Sequence, residues 1–419
     1  MTHARTIGVI AATATFLTAC NFGGSSTPAS TDSVTIVLNT ASAKLPYVGK
    51  FTQQGAQLAA EEINKAGGVN AGGKKYQIKL EALDNGLSPT IAIDNVKKSV
   101  SEKAVAIIDD GYTANDTYQT AAAAGIPILI DYDTNAELID ATRRPNVYRI
   151  APPDDAMAAH LATYLAPRHL NLALVHDDSD YGKDGSKQLT DAFAKASIQL
   201  APNVELPSSG IGFAAQALQV KQSGATGVLL WGRAPTIAQF IKDFRQGGGS
   251  AALFGGPNVE DPIVRTQNAD HPEYIEGLTY SSFRITTEGG PTAWNAFRKK
   301  YEDHNFNNGG PDFKVGVKAK DKRDVVQPPD WQLFPYDMVY LVKAALEKAN
   351  SVDTSGNKLI DALNGVQIKS GNGDNRGWTK DTHEGVVDDD IYFAAFSDMK
   401  FKPVQDDPLS KSLPPIDQE

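Results

Sequence analysis

Two short stretches carry the residue types best suited to holding a small anion. Asp109-Asp110-Gly111-Tyr112-Thr113 closes the apolar run 104–108, and Asp131-Tyr132-Asp133-Thr134 comes directly after 128–130. Each stands where an expected strand ends and an expected helix begins. Helix N-termini leave backbone N–H groups without intrahelical partners, and the helix dipole favours negative charge there. Thr134-x-x-Glu137 has the spacing of a capping box, which would start the second of these helices. Two such starts side by side, with the hydroxyls of Thr113 and Thr134, form a receptacle for a carboxylate. Plain capping is the competing role for both threonines, and the two roles are compatible because a cap leaves other N–H groups free.

The flanking pattern supplies the scaffold. Residues 34–38 read as a buried strand and 51–66 as an amphipathic helix stopped by Gly67-Gly68. Further strands are expected at 76–83, 104–108 and 128–130, separated by a helix that begins at Ser88-Pro89 and another over 117–124. After Pro152-Pro153 the alternation restarts, with helices at 154–165, 183–195, 213–222 and 235–246. Strands at 172–175, 204–206, 228–231 and 252–254 lie among them. Repeated βαβ units build doubly wound parallel sheets, so the expected fold class is α/β in two lobes of similar make-up. Residues 305–328 read as a polar, exposed excursion, 337–349 as an amphipathic helix, and 405–419 as a loose tail.

The N-terminus speaks to compartment. Residues 7–17 are an apolar run of signal-peptide length, short of the ~20 residues a membrane span needs. Leu17-Thr18-Ala19-Cys20 resembles the bacterial lipobox, which implies cleavage before Cys20 and a lipid on that cysteine. Cys20 is the only cysteine, so neither a disulfide framework nor a cysteine metal cluster is expected. The Gly-, Ser- and Thr-rich stretch 21–32 reads as a flexible tether after the 1–20 leader. A formal net charge of −10, without a basic run, argues against nucleic acid. No HExxH, phosphate loop or Gly-x-Ser-x-Gly elbow is present, and Asp177-Asp178-Ser179-Asp180 lacks calcium-loop spacing. No cofactor, metal or catalytic activity is expected.

Five segments resemble, in order and spacing, the branched-chain amino-acid (leucine/isoleucine/valine) type of type I periplasmic binding protein. They are 60–69 (AEEINKAGGV), 125–138 (GIPILIDYDTNAEL), 146–152 (NVYRIAP), 178–182 (DSDYG) and 231–233 (WGR). The resemblance spans 34–401 and implies two lobes joined by a multi-strand hinge that closes on a ligand. It divides the chain into 33–151 with about 281–372, and 152–280 with about 373–404. It implies that Thr113 and Thr134 grip an α-carboxylate, with Tyr112, Tyr132 and Asp133 beside them, while the rings of Tyr47 and Tyr181 cover the ligand.

Two positions depart from the pattern. The family places an acid, in Gly-Pro-Glu, against the ligand's ammonium group, whereas this chain has Gly256-Pro257-Asn258. Arg233 stands where an aromatic or small residue is usual, and arginine suits bidentate recognition of a carboxylate. A ligand with an anionic or carbonyl group at its second end is therefore expected. Pairing of Arg233 with Asp131, Asp133 or Asp178 across the cleft is the alternative, and Asp133, if it faces the cleft, would restore an ammonium site. The implied role is that of a monomeric, lipid-anchored, extracytoplasmic solute-binding subunit. It would deliver a small carboxylate-bearing solute to the permease and ATPase of an ABC importer. A ligand-sensing receptor is the alternative, and an enzyme on the same scaffold is less expected.

Overall fold

The computed structural model describes residues 32–283, 290–307, 309–311, 313–385 and 391–413. The expected leader, the lipobox with Cys20 and all but the last residue of the tether lie outside the described residues. The first sheet grows from β1 (Ser33–Thr40), α1 (Pro46–Lys65), β2 (Val69–Ala71), β3 (Lys74–Asp84), α2 (Pro89–Ser101), β4 (Ala106–Asp109), α3 (Ala114–Ala123), β5 (Ile128–Ile130) and β6 (Val147–Arg149). Its order is β2-β3-β1-β4-β5-β6, parallel except for the β2–β3 pair. Ile107, Ile108, Ile128 and Leu129 are wholly buried, as strands covered by helices on both faces must be.

Pro152 and Pro153 carry the chain from β6 to α4 (Asp154–Leu165), whose Met157, Ala158 and Leu161 pack in a second core with Leu172 and Leu174. Next come β7 (Leu172–Asp177), α5 (Asp180–Lys195), β8 (Leu200–Leu206), α6 (Ala214–Gln222), β9 (Gly227–Trp231), α7 (Ala234–Gln246), β10 (Ala252–Gly255), α8 (Pro262–Gln267) and β11 (Thr279–Phe283). The chain then recrosses. Trp294, Phe297 and Tyr301 of α9 (Gly290–Glu302) join the first core. A hairpin of β12 (Phe313–Lys318) and β13 (Asp324–Gln327) precedes α10 (Leu333–Ala349), which lies against α1. After α11 (Lys358–Leu363), β14 (Gln367–Lys369) and β15 (Asn375–Gly377), β16 (Ile391–Ser397) and β17 (Lys400–Pro403) complete the second sheet. Its order is β17-β16-β11-β10-β9-β7-β8, parallel from β11 to β8 and antiparallel at β16 and β17. The molecule is α/β in two lobes, as the alternation predicts.

Two expectations need correction. The stretch 305–328 is not an exposed excursion of the first lobe, because Val315, Val317 and Val325 are buried in the second core. Lys314, Gly316 and Lys318 alternate with Val315 and Val317, so a period-2 strand passes for a charged loop. The tail is not loose as far as residue 413. The Asp407 carboxylate accepts the Ser410 amide at 2.7 Å, and the buried Ser410 hydroxyl accepts the Phe393 amide at 2.7 Å.

Candidate functional site

The turn after β4 and the turn after β5 approach so closely that only glycine fits between them. A Cβ on Gly111, which has φ +94°, would lie 2.5 Å from the Asp133 Cβ and 2.8 Å from the Ile130 Cγ2. The β5 turn is held from beneath by Arg149, a fully buried arginine at the end of β6. Its guanidinium donates to the carbonyls of Asp133 (3.1 Å) and Asn135 (2.7 Å) and makes a two-pronged pair with Glu384 (2.6 and 3.0 Å). The β4 turn is tied down by its own carboxylates. Asp109 accepts from Asn39 Nδ2 and the Gly111 amide, both at 2.7 Å, and Asp110 accepts from the Ala41 amide at 2.7 Å and Asn85 Nδ2 at 3.1 Å.

These turns face the strand ends of the second lobe across a cavity of about 200 Å³. Tyr112, Thr113, Asp133, Tyr181 and Arg233, five of the residues singled out from the sequence, line it together. The Thr113 hydroxyl is buried and makes no hydrogen bond, whereas the buried Tyr181 hydroxyl reaches across to Thr134 of the first lobe. Thr113 is the N-cap of α3 by backbone position, yet its side chain does not cap the helix. The Asp133 carboxylate accepts the Asn135 amide at 2.9 Å through one oxygen. The Arg233 guanidinium lies 5.0 Å from the centre of the Tyr112 ring, and its buried Nε has no partner. The alternative of an ion pair between Arg233 and Asp131, Asp133 or Asp178 is not formed. Asp131 accepts the Thr52 hydroxyl at 2.6 Å, and Asp178 accepts the Ser208 amide at 2.7 Å.

The other four residues are buried around this cavity without forming its wall. Thr134 donates to Asp154 at 2.5 Å, and Asp154 also accepts the Trp231 indole N–H at 3.2 Å, joining the lobes beneath the cavity. Asn258 donates to the Tyr112 hydroxyl at 3.1 Å and to the Gly232 carbonyl at 3.3 Å, a second bond between lobes. Tyr132 packs on Trp331 at 4.8 Å and Tyr47 on Phe51 at 5.3 Å. The rings continue through Tyr112 and Tyr181 to Trp231, an aromatic seam from one core to the other. Trp231 fits there because α5 presents Gly185, where a Cβ would lie 2.0 Å from the indole.

One local expectation fails. Thr134 does not start a helix through a capping box. Asn135 is the cap, accepting the Glu137 amide at 2.8 Å, and the element it starts is a single 3₁₀ turn, Ala136–Leu138. Of the two first-lobe turns, only the β4 turn leads into an α-helix at the cavity. Thr134 is drawn away because Asp154, twenty residues downstream, takes its hydroxyl.

Burial shapes the electrostatics of the first-lobe wall. Desolvation raises Asp133 to about 8, against opposing help from the Asn135 amide. Asp154 is raised to about 7 by the same cause. Asp109 and Asp110 lie side by side and are both raised, chiefly by burial. Sequence reasoning missed Asn115 and Asn135, which line the cavity, and Asn135 Nδ2 also reaches Asp184 of α5 at 2.7 Å. It also missed Lys44 and Ser208, which line a second cavity of about 440 Å³ just outside the first. Their one visible signal was position, each close after a strand.

A family model described as periplasmic binding protein matches residues 36–399. The chain is 25% identical over 293 residues to Leu/Ile/Val-binding protein homolog 7 of Brucella abortus, covering 65% of this chain and 72% of that protein. A periplasmic binding protein type 1 from Bordetella pertussis superposes with a TM-score of 0.75 at 19% identity, over 89% of this chain and all of the other. A leucine-binding protein from Thermotoga maritima gives 0.71 at 18% identity, over 88% and 97% of the two chains.

Proposed function

This chain belongs to the periplasmic binding protein family, and from that premise we propose that it is the solute-binding subunit of an ABC importer that captures a small carboxylate-bearing solute between its lobes. The observation that carries the reading is Arg233, whose guanidinium stands in the cavity between lobes with no ion pair among the described residues. A half-buried arginine left unpaired is costly unless a ligand anion completes it. On the facing wall, in the first lobe, Thr113 adds a buried hydroxyl that makes no hydrogen bond. Ligand contact with both lobes would favour the closed form by its differential affinity for it. The polar bonds from Asn258 to Tyr112 and from Asn135 to Asp184 supply part of that closure.

Family membership implies an extracytoplasmic location, and Cys20 is proposed as the lipid-bearing residue that holds the protein at a membrane. Cys20→Ala should then abolish incorporation of labelled fatty acid into the protein, and unchanged labelling would refute the anchor. Among the described residues no helix is long and apolar enough to cross a membrane. A thermal-shift screen of amino acids, dicarboxylates, amides and aromatic acids tests the main reading. A ligand at 100 times its dissociation constant adds about 2.7 kcal/mol, an easily measured rise in Tm. If no carboxylate shifts the melting curve while uncharged solutes do, the carboxylate reading falls.

A further inference from the structure

The two cavities that meet at Arg233 differ in sign. The inner one is bordered by the carboxylates of Asp116, Asp133 and Asp180, with Arg233 as its cation. The outer one is bordered by Lys44 and Arg233 and by the hydroxyl residues Ser208, Ser209 and Thr236, with no acid on its wall. Leu87, Ser208 and Arg233 belong to both, so the two spaces adjoin and the charge reverses across a shared wall. Asp116 and Asp180 sit in the first turns of α3 and α5, where the helix dipole accounts for them. Asp133 has no such account. It is buried, and one of its oxygens accepts the Asn135 amide, which leaves the other for the cavity it lines. On the opposite side, neither Lys44 nor Arg233 makes an ion pair among the described residues. Asn258, in the stretch that resembles the family's Gly-Pro-Glu, is spent on Tyr112 and Gly232.

Resting on the solute-binding reading above, we propose that the ligand is a two-ended zwitterion. Its ammonium end enters the inner cavity at Asp133, and its anionic end stays in the outer cavity between Arg233 and Lys44. About 200 Å³ is less than the roughly 300–1,000 Å³ that encloses a drug-sized molecule, so the inner cavity takes one end of a small solute. An α-amino acid carries both charges on one carbon and cannot place them in two chambers. An ω-amino acid, or an amino acid whose second carboxylate is remote from its amine, can. The polarity is the reverse of a site that grips a carboxylate in the first lobe and an ammonium in the second.

Calorimetry on the full mature chain tests this with glycine, leucine, 4-aminobutanoate, 5-aminopentanoate, 6-aminohexanoate, 5-aminopentanamide and pentanoate. One of the three longer amino acids should bind at least 10-fold more tightly than glycine or leucine. Arg233→Gln should weaken it roughly 10- to 100-fold, the scale of a lost charge-assisted hydrogen bond, and Arg233→Lys should retain much of the affinity. Lys44→Ala, at an exposed site, should cost about 2- to 5-fold. Neither change should alter the affinity for 5-aminopentanamide, which lacks the anion. Asp133→Asn should weaken the amino acids but not pentanoate. Leucine binding more tightly than every ω-amino acid would overturn the proposal and leave the solute-binding reading standing. So would equal losses for acid and amide in the Arg233 and Lys44 variants. If no compound of the set binds, the orientation falls, and a negative result across the wider thermal-shift screen takes the solute-binding reading with it.

Discussion

Arg149 and Arg233 each stand at or just beyond the end of a parallel strand, one in each lobe, and they are used in opposite ways. Arg149 is wholly buried, and its donors are matched by Glu384 and two carbonyls of the β5 turn. Arg233 is anchored through its backbone, the amide donating to Asp177 at 2.8 Å, and leaves the guanidinium in the cavity above Tyr112. A buried charge with a complete set of partners holds a loop in place, whereas a cavity charge without one waits for a ligand. The same contrast runs through the two strand-end regions. The first lobe ties Asp109 and Asp110 down internally, and the second offers an amide already engaged and a cation without an ion pair among the described residues.

The contrast breaks most visibly by exchanging the arginines for a neutral side chain. Arg149→Met should cost about 2–4 kcal/mol in urea unfolding, because the half-buried Glu384 would lose its counter-charge and the Asp133 and Asn135 carbonyls their donor. Arg233→Met should leave unfolding within about 0.5 kcal/mol, as expected of a side chain that supports nothing. Equal losses would mean that Arg233 is a structural arginine and that the two regions do not differ.

A smaller effect comes from Asp133. Its carboxyl, near 8 when folded and ordinarily near 4, binds more protons folded than unfolded across that window. Stability therefore falls as pH rises from about 4 to about 8, by up to about 1.4 kcal/mol per pH unit from this group. Asp133→Asn should flatten the fall of Tm between pH 5 and 7, leaving the part due to Asp154 and its raised neighbours. An ammonium ligand favours the ionised form, so its affinity for the wild-type protein should rise toward pH 8. An unchanged slope in Asp133→Asn would remove this carboxyl from both roles.

The smallest effect concerns Asn258. Asn258→Ala deletes bonds to Tyr112 and Gly232, worth about 1 kcal/mol, and should appear as a few-fold weaker ligand affinity with little change in unfolding. If affinity is untouched, the bond between Asn258 and Tyr112 plays no part in closure.

Much of the scaffold was legible because buried parallel strands leave an unmistakable mark. Residues 104–108 and 128–130 are short apolar runs that only a sheet covered on both faces accommodates, and both supply strands. The hairpin at β12 and β13 escaped because lysines interrupt its valines. The site was half legible. Tyr112, Thr113, Asp133, Tyr181 and Arg233 do meet, since strand-end position decides which residues reach the cleft. Thr134 does not join them, because an acid twenty residues away takes its hydroxyl, and local spacing carries no trace of such a partner.

The sequence by itself determined the α/β class, the two lobes and the strand ends at which a ligand could be held. Periodicity and breakers are local properties, and burial enforces them wherever the segment lies. Only the tertiary structure decided that Arg149 is satisfied and Arg233 is not, that Asp133 faces the cavity, and that Asn258 is committed to Tyr112. A side chain's role depends on whether its polar atoms find partners. Those partners come from segments tens to hundreds of residues away, which only the folded chain brings within hydrogen-bond distance.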